Sequence, residues 1–161
     1  MARKKEFVDI KAAGDRSEYA AVLTKIKKDG VCPFCPAHFK YHTRPILQDG
    51  KYWLATENMA PYTGTKHHFL LLHKKHIEHV TDISPKAWEE LLVQIKWLCK
   101  KYKLPAGSFF MRFGDKRYTG ASVTQHVHAQ MFIGSPKSKK TYPLSPLLGH
   151  SRVPYTPPKK R

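Results

Sequence analysis

Apolar residues recur at helical spacing in two parts of the chain. After Ser84-Pro85 a set of large apolar residues repeats every three or four positions, which predicts a long helix with one buried face: Trp88, Leu91, Leu92, Ile95 and Leu98. Ser84 suits the N-cap, and Pro85 suits the first helical position. A shorter amphipathic pattern over 18–28 ends at Asp29-Gly30 and predicts a short helix.

Other apolar runs have the length of β-strands. Two of them, 45–48 and 51–56, are separated by Asp49-Gly50, which is a strong hairpin signal. The remaining runs are 68–73, 108–113 and 122–133, the last being a strand or a loop that enters one. Because these runs are local neighbours with hairpin-like connections, they predict an α+β domain. It has an antiparallel sheet of about five strands with one long and one short helix.

The same pattern divides the chain into three parts. Residues 1–16 are polar and mixed, which predicts a loose N-terminal arm, whereas 17–134 contain all of the periodic segments and form the folded domain. Residues 135–161 are rich in proline and lysine and contain no acidic residue, which predicts a basic tail without a regular core. The alternative is a tail that covers a site or binds phosphate.

Composition narrows the possible partners. The 161 residues match one domain, and 29 Lys and Arg against 12 Asp and Glu give a net charge of +17. Such a charge favours nucleotides, polyphosphates or nucleic acid, although a solvated basic surface has the same composition. The sequence contains no bilayer-spanning apolar run and no secretory signal, and its three cysteines do not predict a disulfide framework. We therefore expect a cytoplasmic protein without a membrane partner.

The segment His126-Val127-His128-Ala129-Gln130 carries the clearest chemistry. On a strand, alternate side chains share a face, so His126, His128 and Gln130 are expected to point one way and the apolar residues the other. A neutral imidazole is a competent nucleophile near neutral pH. From the residues alone, the two histidines fit metal ligands, a structural pair or an acid–base pair.

A second motif, Cys32-Pro33-Phe34-Cys35, places two soft ligands within reach of one metal ion. A redox-active pair and a merely buried pair are the alternatives. The spacing to any second ligand pair is not that of a common zinc finger.

Together with a run upstream, the histidine motif resembles the histidine-triad superfamily, whose signature is a histidine, an apolar residue and a histidine. Residues 68–76 resemble that family's central strand, which usually ends in a proline, basic residues and a histidine; His73 stands where the proline is usual. Residues 120–123 resemble the small-residue segment that leads into the signature. The similarity covers roughly residues 32–134 and implies a catalytic, nucleotide-binding domain.

Gln130 stands where the family's third histidine is usual. This departure resembles the branch of galactose-1-phosphate uridylyltransferase and certain dinucleoside-tetraphosphate phosphorylases, in which the central histidine becomes covalently nucleotidylated. The resemblance implies nucleotidyl transfer or phosphorolysis of a nucleoside polyphosphate or nucleotide-sugar, with His128 as the nucleophile. The alternatives are a hydrolase of dinucleoside polyphosphates or nucleoside phosphoramidates, and a nucleic-acid-associated binder or deadenylating enzyme, which the charge favours.

The resemblance also assigns roles around His128. Gln130 would hold the phosphate, and His68 would donate to the same phosphate or protonate the leaving group. Asn58 stands where family members contact the ribose, and Ser122 and Thr124 offer hydroxyls nearby. Distal phosphates could be met by basic residues that are otherwise solvated: Arg112, Lys116 and Arg117. A base pocket could be lined by Phe34, Trp53 or Met59.

Family members with an early cysteine pair bind zinc, and the uridylyltransferase branch is among them. They use the cysteine pair, the histidine that closes the central strand and the first histidine of the signature. In this sequence the implied ligands are Cys32, Cys35, His76 and His126, with His38 and His42 as spare ligands. Two cysteines and two histidines suit a closed, tetrahedral structural zinc site. The resemblance further implies a homodimer.

Overall fold

The structure, a computed structural model, describes residues 6–14, 16–115, 117–149 and 152. Five strands form one antiparallel sheet in the order β1-β2-β3-β5-β4: β1 (Ile46–Asp49), β2 (Trp53–Glu57), β3 (His67–His73), β4 (Ser108–Arg112) and β5 (His128–Ile133). The α-helices are α1 (Ser17–Asp29) and α2 (Pro85–Lys101), and short 3-10 helices cover Ile10–Ala13, Pro36–Tyr41 and Val80–Asp82. The predicted α+β class, with five strands and one long and one short helix, is confirmed.

The main core lies between α2 and one face of the sheet. As predicted, Ser84 caps this helix, and its hydroxyl accepts a hydrogen bond from the Ala87 N–H at 3.2 Å. Leu91 and Leu98 face the sheet, where the core side chains include Trp53, Phe69, Leu71, Val127, Ala129 and Met131. Because α2 covers this face, the opposite face of β3 and β5 is left for the polar residues.

The buried face of α2 is narrower than the sequence indicates. Trp88 and Leu92 are 41% and 50% exposed, so the prediction that both are buried is wrong. Gln94 takes part in the buried face instead, since its amide donates to the Trp53 carbonyl at 2.9 Å.

The last strand is shorter than the run 122–133 and begins at His128. Gln125 has a φ of 57°, and the Val127 N–H donates to the Ile77 carbonyl at 2.9 Å, so this stretch is a loop that enters the strand. His126 therefore precedes the strand, and the prediction that it shares a strand face with His128 and Gln130 is wrong. The long-range bond that holds the loop leaves no local signal in the sequence.

Residues 6–14 pack on the domain, although the sequence indicates a loose arm here. Val8 is 2% exposed and forms a β-bridge with Val123, and the Asp9 N–H donates to the Ser122 carbonyl at 2.7 Å. Val8 and Ala13 share an apolar cluster with α1, and this packing holds residues 6–14 against the domain. Residues 1–5 and 15 of the expected arm lie outside the described residues.

Residues 135–149 form no helix or strand, and their last part returns to the sheet. We call residues 144–149 the C-terminal strap. Leu144 lies against Gly64 and Gly134, and the Leu147 carbonyl accepts a hydrogen bond from Arg112 Nη2 at 2.6 Å. Most of the basic end of the tail, 153–161, lies outside the described residues. Within the described ranges, no helix is both long enough and apolar enough to cross a membrane.

Candidate active site and metal centre

A pocket lies on the sheet face opposite α2. The apolar part of its lining comes from α1 and the loops beside it: Val22, Leu23, Ile26, Phe34, Met59 and Val123. The polar part of the lining includes Asn58, Arg112, Ser122, His128 and Gln130. A lining that combines both kinds of side chain suits a ligand with a flat apolar part and a charged part.

His128 is 3% exposed, and its two ring nitrogens have different surroundings. Nδ1 lies 2.8 Å from the backbone carbonyl oxygen of His126. Because a carbonyl oxygen only accepts, Nδ1 carries the proton and Nε2 keeps its lone pair. Burial lowers the pKa of His128 to about 3, against the bond to His126, and the nearby charge of Arg112 lowers it further. The ring is therefore neutral near pH 7 and has the protonation state of a nucleophile.

The orientation of Gln130 is set by His68. The Tyr62 N–H donates to His68 Nδ1 at 3.3 Å, so the proton of this neutral ring lies on Nε2. Nε2 donates to Gln130 Oε1 at 2.9 Å, and this turns the Gln130 amide nitrogen toward His128 Nε2, 3.4 Å away. Burial lowers the pKa of His68 to about 4. His68 thus contacts Gln130, and its one N–H is already engaged there.

Two of the three residues predicted to bind the nucleotide line the pocket. Asn58 Oδ1 accepts the Ala60 N–H at 2.9 Å, and its amide nitrogen donates to His68 Nδ1 at 3.3 Å. The Ser122 hydroxyl shares a 2.7 Å hydrogen bond with the hydroxyl of Tyr19 on α1. The structure places both side chains in the lining of the pocket that also contains His128.

Other predicted site residues lie elsewhere. The hydroxyl of Thr124 donates at 3.2 Å to a backbone carbonyl of the N-terminal segment, so it does not join Ser122. Trp53 is buried in the core beneath α2 and is not part of the pocket lining, unlike Phe34 and Met59. Arg117 is exposed and forms an ion pair with an aspartate, and Lys116 lies outside the described residues.

Arg16 is a pocket residue that sequence reasoning missed. Its guanidinium lies near the rings of Tyr19 and Tyr62, at 5.2 and 5.7 Å from their centroids. Each of its three nitrogens donates to a backbone carbonyl, those of Ala13, Ala60 and Ala12. Arg16 therefore ties the start of α1 to the loop after β2, a long-range contact without a local sequence signal.

Arg112 ends β4 and pairs in register with His128 of β5. It is 4% exposed, and its Nη2 donates to the Leu147 carbonyl and, at 3.3 Å, to the Tyr62 hydroxyl. Its Nε and Nη1 are buried without a hydrogen-bond partner. The sequence placed Arg112 near distal phosphates, whereas the structure places it opposite His128 on the neighbouring strand.

The predicted metal ligands come together in one cluster behind this pocket. Cys32 Sγ lies 3.2 Å from His126 Nδ1, Cys35 Sγ lies 3.3 Å from His76 Nδ1, and the two Nδ1 atoms are 3.2 Å apart. A tetrahedral zinc site with bonds of about 2.3 Å to sulfur and about 2.05 Å to nitrogen has edges of about 3.3 to 3.8 Å. These three distances are close to such edges, and the ligand atoms of all four residues lie within 4.8 Å of one another, so the cluster could hold a metal ion.

The protonation of the cluster also fits a cation. His126 Nε2 lies 2.7 Å from the His73 carbonyl oxygen, so it carries the proton, and the Nδ1 lone pair faces the cysteines. Burial lowers the pKa of His126 to about 4 and raises the pKa of Cys32 to about 12, with Cys35 adding to the latter. A bound metal ion would supply the positive charge that stabilises the thiolate form of Cys32. The spare ligands His38 and His42 are not in the cluster.

Phe34 links the two sites. It lies between the two cysteines in sequence, and its ring meets the rings of His126 and His128 edge-on, with centroids 5.9 and 5.0 Å apart. His128 and the cluster therefore both contact the ring of Phe34 and are both joined to His126.

Solved structures with this arrangement of sheet and helices are known. One is a histidine triad protein from Clostridium difficile, at 19% identity and a TM-score of 0.52 over 68% of this chain and 96% of that chain. The chain has the histidine-triad fold. The same fold is found in a histidine triad nucleotide-binding protein from Candida albicans, at 17% identity and a TM-score of 0.52 over 70% of this chain and 87% of that chain.

A Zn-bound histidine triad family protein from Mycobacterium smegmatis is also similar, at 16% identity and a TM-score of 0.51, over 75% of this chain and 84% of that chain. No protein-family model and no curated protein sequence matches the chain. The likeness is therefore one of fold. On this histidine-triad fold, His128 and Gln130 occupy the strand that the sequence resemblance assigned to the signature.

Proposed function

We propose that the chain is a nucleotide-binding enzyme of the histidine-triad type that forms a covalent nucleotidyl intermediate on His128. It then transfers the nucleotidyl group, or releases it to phosphate, from a nucleoside polyphosphate or nucleotide-sugar. The observation that carries this proposal is the state of His128 Nε2. This nitrogen is unprotonated because Nδ1 is bonded to the His126 carbonyl, and it belongs to the polar part of the lining of a partly apolar pocket.

In the first step, the Nε2 lone pair of His128 attacks the α-phosphorus. An N–P bond forms, the P–O bond to the leaving group breaks, and the leaving group departs with the bonding electron pair as an oxyanion. The positive charge that the ring acquires is stabilised by the hydrogen bond from Nδ1–H to the His126 carbonyl. Gln130, whose amide nitrogen is turned toward Nε2, donates to a non-bridging oxygen.

In the second step, an oxygen of the acceptor attacks the phosphorus, the N–P bond breaks, and the lone pair returns to Nε2. Gln130 supports transfer or phosphorolysis over hydrolysis, because an amide donates a hydrogen bond but does not take up a proton from water. His68 does not supply this base, since its Nδ1 already accepts the Tyr62 N–H. An acceptor that is already an oxyanion, such as phosphate, needs no base.

The rest of the pocket fits the nucleoside. The apolar part of the lining, with Phe34 and Met59, has the character of a base site. The amide nitrogen of Asn58 has a second N–H besides the one directed at His68, and this N–H would meet the ribose, whereas the Ser122 hydroxyl would meet a phosphate oxygen. The position of Thr124 favours a different task, which is to hold the N-terminal segment against the loop before β5.

The test is a substrate panel that is followed by ³¹P NMR with and without inorganic phosphate. The panel contains dinucleoside polyphosphates, nucleotide-sugars, nucleoside phosphoramidates and adenylated nucleic acid. His128→Asn should lower turnover by roughly 10⁴-fold or more, because it removes the nucleophile. His79→Asn, which changes an exposed histidine, is the matched control. Mass spectrometry of the quenched wild-type reaction should find an acid-labile nucleotidyl group on the peptide that contains His128.

Each outcome of the panel has a distinct meaning. A phosphate-dependent product that carries the added phosphate identifies phosphorolysis, and the same rate in water alone identifies a hydrolase. Turnover of adenylated nucleic acid alone identifies the deadenylating alternative, which the net charge of +17 favours. Full activity in His128→Asn would refute the covalent mechanism altogether.

We also propose that zinc occupies the cluster of Cys32, Cys35, His76 and His126. Four protein ligands fill a tetrahedral site, so the metal is structural and has no open position for chemistry. When bound, zinc supplies the positive charge that stabilises two thiolates. It also cross-links the segment after α1 to the loop before β5. Elemental analysis should give about one zinc per chain. A metal-free protein in which Cys32→Ser is well tolerated would contradict this site.

We further propose a homodimer. β4 lies at one end of the sheet, and Phe109 on it is 43% exposed. The outer side of α2 adds the exposed residues Trp88, Leu92 and Val93. A second copy that covered these side chains would remove apolar area from water. Sedimentation equilibrium should give twice the chain mass, and Phe109→Glu should shift the protein toward the monomer; a wild-type monomer contradicts the proposal.

A further inference from the structure

Arg112 and His128 are direct partners across the β4–β5 pair. Side chains of directly opposed residues in an antiparallel pair lie on the same face of the sheet. Both residues belong to the polar part of the pocket lining, and only 4% of Arg112 is exposed. A permanent positive charge is therefore fixed beside the nitrogen that the proposed function makes the nucleophile.

This charge has no anionic partner among the described residues. Arg112 contacts a backbone carbonyl, a tyrosine hydroxyl and the ring of Phe110, whose centroid lies 5.0 Å from its guanidinium carbon. A buried cation without a counter-ion is destabilising, because it has lost its hydration and no opposite charge compensates for that loss. A bound anion would supply the compensating charge.

Two of its three nitrogens are also unused as donors. Nε and Nη1 are shielded from solvent and have no hydrogen-bond partner, whereas Nη2 holds the C-terminal strap through the Leu147 carbonyl. A structural role in anchoring the strap accounts for Nη2 alone. Arg16 shows the contrast, since every nitrogen of that pocket arginine donates to a backbone carbonyl.

We propose that Arg112 is a catalytic residue that binds the non-bridging oxygens of the phosphoryl group attacked by His128, through Nε and Nη1. The ligand class is a phosphate ester or anhydride, and the proposal rests on the proposed function of His128. A guanidinium offers a rigid pair of donors that matches two phosphate oxygens. The Gln130 amide approaches from the same face, so the phosphoryl group has a charged and a neutral donor.

The role follows from the charge of the reaction. Negative charge on the equatorial oxygens of a phosphoryl group must be neutralised in the transition state, and fixed donors do this without reorganisation. His128, Gln130 and His68 are all neutral here, so they do not supply that charge. Because Nε and Nη1 are shielded from solvent, a neighbouring segment must move when phosphate binds, and we expect it to be the strap, whose Leu147 carbonyl contacts Nη2.

The test separates binding from turnover by using inorganic phosphate as the probe. Isothermal titration of phosphate is measured for the wild-type chain and for Arg112→Met, Arg112→Lys and Arg117→Met. Arg112→Met should weaken phosphate binding by roughly tenfold to a hundredfold, the range of charge-assisted hydrogen bonds. The phosphate affinity of Arg112→Lys should lie between those of the wild type and Arg112→Met, because lysine keeps the charge and loses the paired donors. Arg117→Met removes the same charge from an exposed ion pair nearby and should bind like wild type.

A purely structural role predicts different results. Removal of an uncompensated buried charge should leave the melting temperature of Arg112→Met equal to or above that of wild type, whereas loss of a structural anchor lowers it. In turnover, Arg112→Met should lower kcat more than it raises KM. Phosphate should also speed amide exchange in residues 144–149 of the wild type and not of Arg112→Met. If Arg112→Met does not fold, Arg112→Lys carries the comparison.

The proposal is overturned if Arg112→Met binds phosphate as tightly as Arg117→Met, or if the wild type does not bind millimolar phosphate. His128→Asn makes the two proposals distinguishable. If it retains turnover but Arg112→Met loses phosphate binding, the covalent mechanism fails and the anion site stands. If it loses turnover while phosphate binding is indifferent to Arg112, the anion site fails and the nucleophile stands.

Discussion

The protons on the pocket histidines are placed by backbone groups. The His126 carbonyl can only accept, so it fixes the proton of His128 on Nδ1, and the Tyr62 N–H can only donate, so it fixes the proton of His68 on Nε2. Burial keeps both rings neutral by lowering their pKa values. The reactivity of the site thus depends on a tautomer that the fold imposes.

A neutral buried histidine makes stability depend on pH. The pKa of His68 is about 4 in the folded protein and about 6.5 in the unfolded chain, so above pH 6.5 neither state is protonated. As the pH falls from 6.5 to 4, the unfolded chain takes up a proton that the folded protein does not. The free energy of unfolding should therefore fall in this window, and His68 should account for roughly 3 kcal/mol of the loss.

Urea unfolding between pH 7 and pH 4 measures this effect. In His68→Asn the free energy of unfolding should fall less steeply between pH 6.5 and pH 4. The difference in slope should be about that expected for the uptake of one proton. His79→Asn changes an exposed histidine and should keep the wild-type slope. An unchanged slope in His68→Asn would show that this histidine is not held neutral by the fold.

At the scale of elements, local patterns predict what local contacts determine. The cap at Ser84, the hairpin of β1 and β2 and the alternation of Ala129 and Gln130 depend on near neighbours, and these predictions hold, although the hairpin turns at residues 50–52 because Asp49 belongs to β1. The loop before β5 is different, because the bond from Val127 to Ile77 that shapes it spans distant parts of the chain. Sequence spacing does not encode that partner.

The candidate site shows the same difference between local features, which the sequence predicts, and long-range contacts, which it does not. The resemblance gave the four metal-cluster residues and the order of His128 and Gln130, and the structure brings the cluster residues together. It did not give the pairing of Arg112 with His128, or the arrival of α1 at the pocket, which depend on strand register and long-range packing. It also placed Thr124 in the pocket, since a hydroxyl next to the signature does not show which way it points.

The proposed zinc would act on His128, the proposed nucleophile, through the loop before β5. His126 faces the cluster with its ring, and its carbonyl accepts from His128 Nδ1, so removal of a bound zinc should free both groups. Treatment with a chelator should lower kcat by roughly tenfold to a hundredfold with a smaller change in KM, and should speed amide exchange at residues 126–128. Restored zinc should reverse both effects. If the metal-free protein keeps its exchange protection, the loop does not depend on the cluster.

At the scale of the whole molecule, residues 6–14 and the C-terminal strap contact residues that line the pocket. The N-terminal segment pairs with the loop before β5 through the bridge between Val8 and Val123, and the C-terminal strap contacts Arg112 and Gly120. The sheet supplies the proposed reactive groups, and these two segments pack beside them. The net charge of +17 adds a long-range attraction for anionic substrates that should weaken with salt.

Gly120 should be sensitive to any added side chain. A Cβ there would lie 2.5 Å from the Leu147 carbonyl oxygen and 2.4 Å from Leu147 Cγ, so the strap must shift. Gly120→Ala should cost about 1 to 3 kcal/mol at the strap and expose the lysines of 137–140 to faster cleavage by trypsin. Gly134→Ala is the matched control, because its Cβ meets only the end of the flexible Leu144 side chain at 3.3 Å. Equal cleavage of both variants would mean that the strap does not rest on Gly120.

The hydrogen bonds from Tyr62 through His68 and Gln130 toward His128 all run in one direction. In such a chain every member must accept a hydrogen bond on one side and donate one on the other. An amide meets this rule, and so does a neutral imidazole, which has one accepting and one donating nitrogen. A carboxylate does not, because it would turn an oxygen toward the lone pair of His128. Gln130 thus keeps the direction of the hydrogen bonds toward His128, as a neutral histidine at that position would, but it cannot take up a charge.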